Sequence, residues 1–99
     1  MARFLFVYGY ESPSEWEANS VHGSDDESSC AIWVNAESEA HANEKGREFA
    51  AQHVGELFAS YPQLQFPGWT ACNYAHGIEH RPLDRFSAMA LDQLDEINA

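Results

Sequence analysis

The chain has 99 residues, of which 44% are hydrophobic, and a formal net charge of −11. This length predicts a single domain, residues 1–99, with one core. The excess of acid argues against nucleic-acid partners and anionic membranes, because both require Lys and Arg to neutralise phosphates. No run approaches the ~18 apolar residues of a membrane span, and the apolar run 4–8 lacks the cleavage site of a signal peptide. We therefore expect a cytoplasmic protein with no membrane contact.

The first two predicted strands are Arg3–Tyr10 and Cys30–Asn35. Arg3–Tyr10 is apolar on both alternating faces, a pattern typical of a central strand that is covered on both sides. The segment between the strands, residues 11–29, is predicted to be a long acidic loop with at most a helical turn at 14–18. Loops of this length inside a compact domain are uncommon and are usually functional or mobile.

A helix is predicted from an N-cap at Ser38 to about Ser60, since apolar residues follow the cap at helical spacing. Gly46 within it costs about 1 kcal/mol relative to Ala, so we expect that it permits a close approach to the sheet. His41 and His53 lie on this helix and are expected to point outward.

The last part of the chain predicts a third strand and a second helix. Pro67-Gly68 indicates a turn, and Trp69–Ala75 follows as the strand. Residues 76–80 are predicted to be a polar connection. From Pro82 to the C-terminus, apolar residues recur at helical spacing at Phe86, Met89, Ala90, Leu94 and Ile97.

The predicted fold class is therefore α+β, a two-layer sandwich with element order β-β-α-β-α. The three strands would form an antiparallel sheet in the order 2-1-3, with the two helices on one face. A short additional strand near Ser20–His22 would make a four-stranded, ferredoxin-like variant.

Residues 11–27 carry six acidic side chains and no Lys or Arg. An acidic surface with an aromatic anchor favours protein binding, because charge speeds the encounter and tryptophan contributes strongly to interfaces. We therefore interpret the chain as a non-enzymatic, acidic protein-interaction module. Its partner would be another protein or a second copy of itself. One concrete version is a basic partner, as for an immunity protein that neutralises a nuclease toxin. The predicted partner-binding residues are Glu15, Trp16, Glu17, Asp25, Asp26 and Glu27.

A second hypothesis concerns an aromatic sheet face formed by Phe4, Phe6, Tyr8 and Trp33. Two helices cannot cover both faces of the sheet, so this face is predicted to be open. It would mediate homodimerisation, bind another protein or, as the alternative function, form the site of a small α+β enzyme or ligand-binding protein. The Trp16 segment folding back over it remains the other interpretation, because large exposed apolar patches are rare on monomers.

No cofactor is predicted, and no metal site is assigned. Cys72, His76 and His80 recur every four residues and are donor types that bind Zn²⁺, but the spacing matches no zinc finger or ribbon. No phosphate-binding loop or nucleophile motif is present, so the sequence leaves enzymatic activity undecided and favours a protein without it.

Overall fold

The computed structural model describes residues 1–23, 28–60 and 73–99, and within them it leaves out the side chains of residues 13, 58 and 73–76. The fold is α+β, which confirms the predicted class. Residues 69–72, at the start of the predicted third strand, lie outside the described residues. The described elements are β1 (Ala2–Tyr10), α1 (Pro13–His22), β2 (Ser28–Ala36), α2 (Glu39–Ser60), β3 (Asn73–Glu79), a short 3-10 helix (Pro82–Asp84), α3 (Ala88–Asp92) and β4 (Glu96–Asn98).

The strands form one four-stranded mixed sheet in the order β3-β1-β2-β4. β1 pairs antiparallel with both β2 and β3, whereas β4 runs parallel to β2. The predicted sheet of three antiparallel strands therefore omits β4, the edge strand that pairs with β2. The predicted extra strand near Ser20–His22 is wrong, because these residues form the end of α1.

The fourth strand occupies a segment for which the sequence predicted a second helix. Ser87 caps α3 by accepting a hydrogen bond from the Ala90 amide at 3.1 Å, but α3 already ends at Asp92. Beyond it, the Trp33 amide donates to Asp95 O and the Ala99 amide donates to Asn35 O, each at 2.9 Å. The C-terminal segment thus satisfies backbone groups along the outer edge of β2, which a continued helix would leave without these partners.

β3 continues to Glu79, through residues that the sequence predicted to be a polar connection. Its register with β1 shifts by one residue between Val7 and Tyr8, which leaves His76 as the additional residue of a bulge. Gly77 follows with φ of 126°, a conformation that L side chains rarely adopt. The bulge therefore lets the strand continue through a glycine that reads as a turn in the sequence.

The core lies on both faces of the sheet. On one face, the longest helix, α2, covers the completely buried Phe6 together with its neighbours on β2. A Cβ built at Gly46 would lie 2.2 Å from Phe6 Cγ, which confirms the expected role of this glycine in a close approach. On the other face, Leu91 of α3 packs with Leu5 and Val7. No helix among the described residues has the length and apolar character needed to span a membrane.

Candidate functional site

The acidic segment contains a well-formed helix rather than a long loop. Ser12 Oγ accepts a hydrogen bond from the Glu15 amide at 3.2 Å, and Glu15 Oε1 accepts one from the Ser12 amide at 2.9 Å. Pro13 occupies the first turn, and Gly23 ends α1 in a left-handed conformation with φ of 68°. The sequence Ser-Pro-Ser-Glu at 12–15, with Gly23 eleven residues after Ser12, is a capping-box and C-cap signal that the loop interpretation missed.

Glu15, a predicted partner-binding residue, is engaged in holding α1 in place. The Ser28 hydroxyl donates to Glu15 Oε1 at 2.9 Å and so links the helix to the start of β2. Burial opposes ionisation of this carboxyl, but the hydrogen bonds from Ser12 and Ser28 outweigh it and lower the pKa of Glu15. Glu15 is therefore a structural anchor of the acidic segment.

The other predicted recognition residues are distributed along and after α1. Glu17 is exposed and Trp16 is half-buried. Val21, which the sequence did not single out, is 69% exposed. None of the α1 side chains that the structure describes is buried. The remaining three predicted residues, Asp25, Asp26 and Glu27, lie outside the described residues.

The predicted aromatic sheet face is not an open surface. Phe6 and Tyr8 are 0% and 1% exposed beneath α2. Trp33 lies on the opposite face, since its cross-strand partner is Leu5 and directly paired residues project to the same side. The alternation within each strand was predicted correctly, but the register between β1 and β2, which decides which faces combine, was not.

Trp33 is instead part of the packing of the C-terminal segment. Its indole Nε1 donates a hydrogen bond to Leu91 O at 2.9 Å, at the end of α3. The Arg3 guanidinium carbon lies 4.0 Å from the centre of its ring, a cation–π contact. Both contacts are consistent with a structural role for this side chain.

The three metal-ligand candidates cannot be assembled from the described residues. Cys72 and the side chain of His76 lie outside them, and His80 makes a hydrogen bond with Glu39. Within the described parts of the chain, no three His, Cys, Asp or Glu side chains are grouped as metal ligands.

A cleft between α2 and the sheet contains reactive groups that the sequence interpretation missed. His53 does not point outward: its Nδ1 lies 2.7 Å from the Tyr8 hydroxyl oxygen. Burial raises the pKa of Tyr8, and the nearby Cys30 raises it further. The sequence contained a signal for the inward orientation of His53, because this residue is adjacent to the apolar stripe of α2. The cleft has a volume of about 230 Å³ and is lined by Tyr8, Cys30, Ala31, Ile32, Phe49, His53 and Asp95.

No protein-family model matches the chain. Comparison with curated proteins and with solved structures also finds no match. Function must therefore be argued from the residues of this chain, above all from the acidic helix α1 and from the cleft beneath α2.

Proposed function

We propose that the protein is a non-enzymatic interaction module that binds a basic protein partner through α1 and the acidic residues around it. The observation that carries this proposal is the exposure of α1. The helix is fixed at its start by the capping box and by Glu15, yet none of its described side chains is buried. A rigid helix outside the core is available for a partner without unfolding of the domain.

Charge segregation supports a basic partner. The five Lys and Arg residues of the chain all lie outside residues 11–27. Three of them form ion pairs on other elements, with Arg3 on Glu96, Lys45 on Glu48 and Arg85 on Glu79. A basic protein that approaches α1 would thus meet a segment whose own residues carry negative charge and no Lys or Arg, and such charge speeds association and orients the partner.

Apolar contacts on the same helix supply the complementary short-range part of the proposed interface. Val21 lies three residues after Ala18 and four after Glu17, the spacings that make residues neighbours on a helix surface. This face lines a shallow depression of about 260 Å³. Val21 is therefore proposed as an aliphatic contact beside the charge of Glu17, and Trp16 as the neighbouring aromatic contact.

Three other parts of the functional hypothesis are self-association, location and the alternative site. Self-association through Phe4, Phe6 and Tyr8 is not proposed, since α2 covers that face. A cytoplasmic location belongs to the proposal. The alternative of a ligand or reaction site moves from the sheet face to the cleft at Tyr8, Cys30 and His53.

The test compares a double variant of α1 with a matched control. Glu17→Gln with Val21→Ser removes one acid and one exposed aliphatic side chain from α1. Glu44→Gln with Met89→Ser makes equivalent changes elsewhere, because Glu44 is exposed and Met89 is 71% exposed. Immobilised parent and variants are used to capture proteins from the native organism, and the affinity for each captured basic protein is then measured with purified components at two salt concentrations.

We expect the α1 variant to bind the captured basic protein about tenfold more weakly than the parent, a loss of about 1.4 kcal/mol. Its binding should also depend less on salt. The control should bind as the parent does, and both variants should keep the parent's melting temperature. Equal affinity of the parent and the α1 variant for every captured protein would contradict the proposal.

A further inference from the structure

The cleft beneath α2 brings a thiol, a phenol and an imidazole together from three different elements. Cys30 on β2 is the direct cross-strand partner of Tyr8 on β1, so the two side chains project from the same face of the sheet. His53 reaches the same point from α2. This arrangement depends on tertiary structure, since 22 and 23 residues separate the three positions along the chain.

Tyr8 is adjacent to both of the other groups. Its hydroxyl lies 2.7 Å from His53 Nδ1, and its cross-strand partner Cys30 lines the same cleft. A hydroxyl can donate one hydrogen bond while it accepts another. When the Tyr8 O–H donates to His53 Nδ1, the Tyr8 oxygen is left able to accept a proton from the neighbouring Cys30. The same atoms can hold the proton on His53 when the sulfur is a thiolate.

Tyr10 packs against the same imidazole, beside Tyr8. Its ring centroid lies 5.3 Å from that of His53 in an edge-to-face arrangement, and the Tyr8 ring centroid lies 5.9 Å away. Packing of this kind fixes the orientation of the imidazole, because ring rotation would break both aromatic contacts. The raised pKa of Tyr8, caused first by burial, keeps its hydroxyl protonated and able to relay a proton.

We propose that Cys30 is a nucleophilic thiol that reacts with small uncharged electrophiles, with Tyr8 relaying the thiol proton to His53. This inference is independent of binding through α1. In reaction with a hydroperoxide, the sulfur attacks the terminal oxygen, an S–O bond forms and the O–O bond breaks. The thiol proton passes to Tyr8 as the Tyr8 proton passes to His53. The leaving alkoxide regains one proton along the same path, so the products are a sulfenic acid and an alcohol.

The lining of the cleft selects the class of electrophile. Ile32 and Phe49 provide apolar surface and Asp95 provides an acidic side chain, in a cleft of about 230 Å³. The formal net charge of −11 adds long-range repulsion of anions. A small neutral reagent therefore fits this site better than an anionic one of the same size.

The experiment uses the full chain with Cys72→Ser, so that Cys30 is the single thiol. Reaction rates at pH 7 are measured with iodoacetamide, which is neutral, and with iodoacetate, its anionic counterpart. Oxidation by tert-butyl hydroperoxide is followed by trapping the sulfenic acid with dimedone. His53→Gln and Tyr8→Phe remove the two relay groups in this background. His41→Gln is the matched control, because His41 lies exposed on the same helix.

We expect iodoacetamide to modify Cys30 about tenfold more slowly in the His53→Gln and Tyr8→Phe proteins, because an unassisted thiol is only a few per cent thiolate at pH 7. The His41→Gln control should react at the parent rate, and the parent should prefer iodoacetamide over iodoacetate more strongly than glutathione does. In the His53→Gln and Tyr8→Phe proteins, the yield of sulfenic acid should fall by a factor similar to that of the alkylation rate.

Three results would overturn the proposal: a parent rate no higher than that of glutathione, equal rates in the parent and His53→Gln proteins, or equal discrimination between the two reagents by Cys30 and glutathione. Melting curves establish that each variant is folded. If Tyr8→Phe does not fold, the comparison of His53→Gln with His41→Gln decides the matter, since His53 is only half-buried.

Discussion

The two longer helices of this domain are held in place by different physical means. In α2, Ala42, Gly46, Ala50 and Val54 are buried against the sheet at every fourth position. These small and branched residues form one ridge along the helix and allow its backbone to approach the sheet closely. In α1, by contrast, no described side chain is buried, and the helix depends on hydrogen bonds at its ends.

This difference predicts whether a substitution changes the stability of the whole domain or only of one helix. Changes along the α2 ridge alter contacts with the core and should change the stability of the whole domain. Changes in α1 should alter the local population of that helix and leave the core intact. A helix of ten residues is too short to be stable alone in water, so α1 is sensitive to its caps.

The largest effect is expected for Gly46→Ala. The new Cβ would lie 2.2 Å from Phe6 Cγ, and Phe6 is completely buried, so its ring cannot move away without disturbing the core. Overpacking of a core typically costs 1–3 kcal/mol, and so close a contact belongs at the upper end of that range, from which the gain of about 1 kcal/mol in helix propensity is subtracted. We expect a loss of about 2 kcal/mol in the free energy of unfolding, measured by urea denaturation.

Gly55→Ala is the matched control on the same helix. A Cβ at Gly55 would meet no atom within 4 Å. The gain in helix propensity should therefore remain, and the free energy of unfolding should rise by about 1 kcal/mol. If both alanines stabilised the domain, close packing of α2 on Phe6 would be disproved.

The sequence predicted the parts of the fold that local patterns determine. The strand beginning near Arg3 and the helix from Ser38 to Ser60 follow from alternation, capping and helical spacing. The Ser38 cap is confirmed, since Ser38 Oγ accepts a hydrogen bond from the His41 amide. The role of Gly46 could be inferred because a glycine inside an otherwise regular helix has a cost that packing must offset.

The C-terminal segment could not be predicted in the same way. Helical spacing of Phe86, Met89 and Leu94 is present in the sequence, yet Met89 is 71% exposed and the chain turns into β4. The chain forms β4 because one edge of β2 is open, and the backbone groups at that edge hydrogen-bond with those of Asp95 and Ala99. Edge availability is a property of the assembled sheet, and no local pattern reports it.

The cleft depends equally on the assembled structure. The cleft forms because the β1–β2 register places Tyr8 opposite Cys30 and because α2 brings His53 to Tyr8. Spacing along the sequence carries no information on a cross-strand register until the intervening segment is known. That segment was interpreted as a loop, whereas its Ser12 and Glu15 form the capping box of α1.

An intermediate effect is expected for Ser12→Ala, which removes the N-cap of α1. Loss of such a cap typically costs about 1 kcal/mol. Amide hydrogen exchange should therefore become about fivefold faster in α1, while the melting temperature changes little because α1 is outside the core. Ser20→Ala is the control, since Ser20 is exposed within the same helix and Ala is the better helix former. Faster exchange in α2 as well as α1 would show that the two helices are energetically coupled.

The smallest effect concerns pH and sharpens the assignment of Glu15 as an anchor. Because hydrogen bonds from Ser12 and Ser28 outweigh burial and hold the pKa of Glu15 below its ordinary value, the ionised carboxylate stabilises the folded helix. That contribution is complete above the unfolded value of about 4.3 and is lost as the pH falls through the lower folded value. Carbon-13 chemical shifts should then report a fall in the helix population of α1 below about pH 4, before any change in α2. In Glu15→Gln the α1 shifts should already be reduced at pH 7 and should respond less to acid. Parent shifts that stay constant through this range, or a response as large in Glu15→Gln, would show that Glu15 is not the group that fixes α1 to β2.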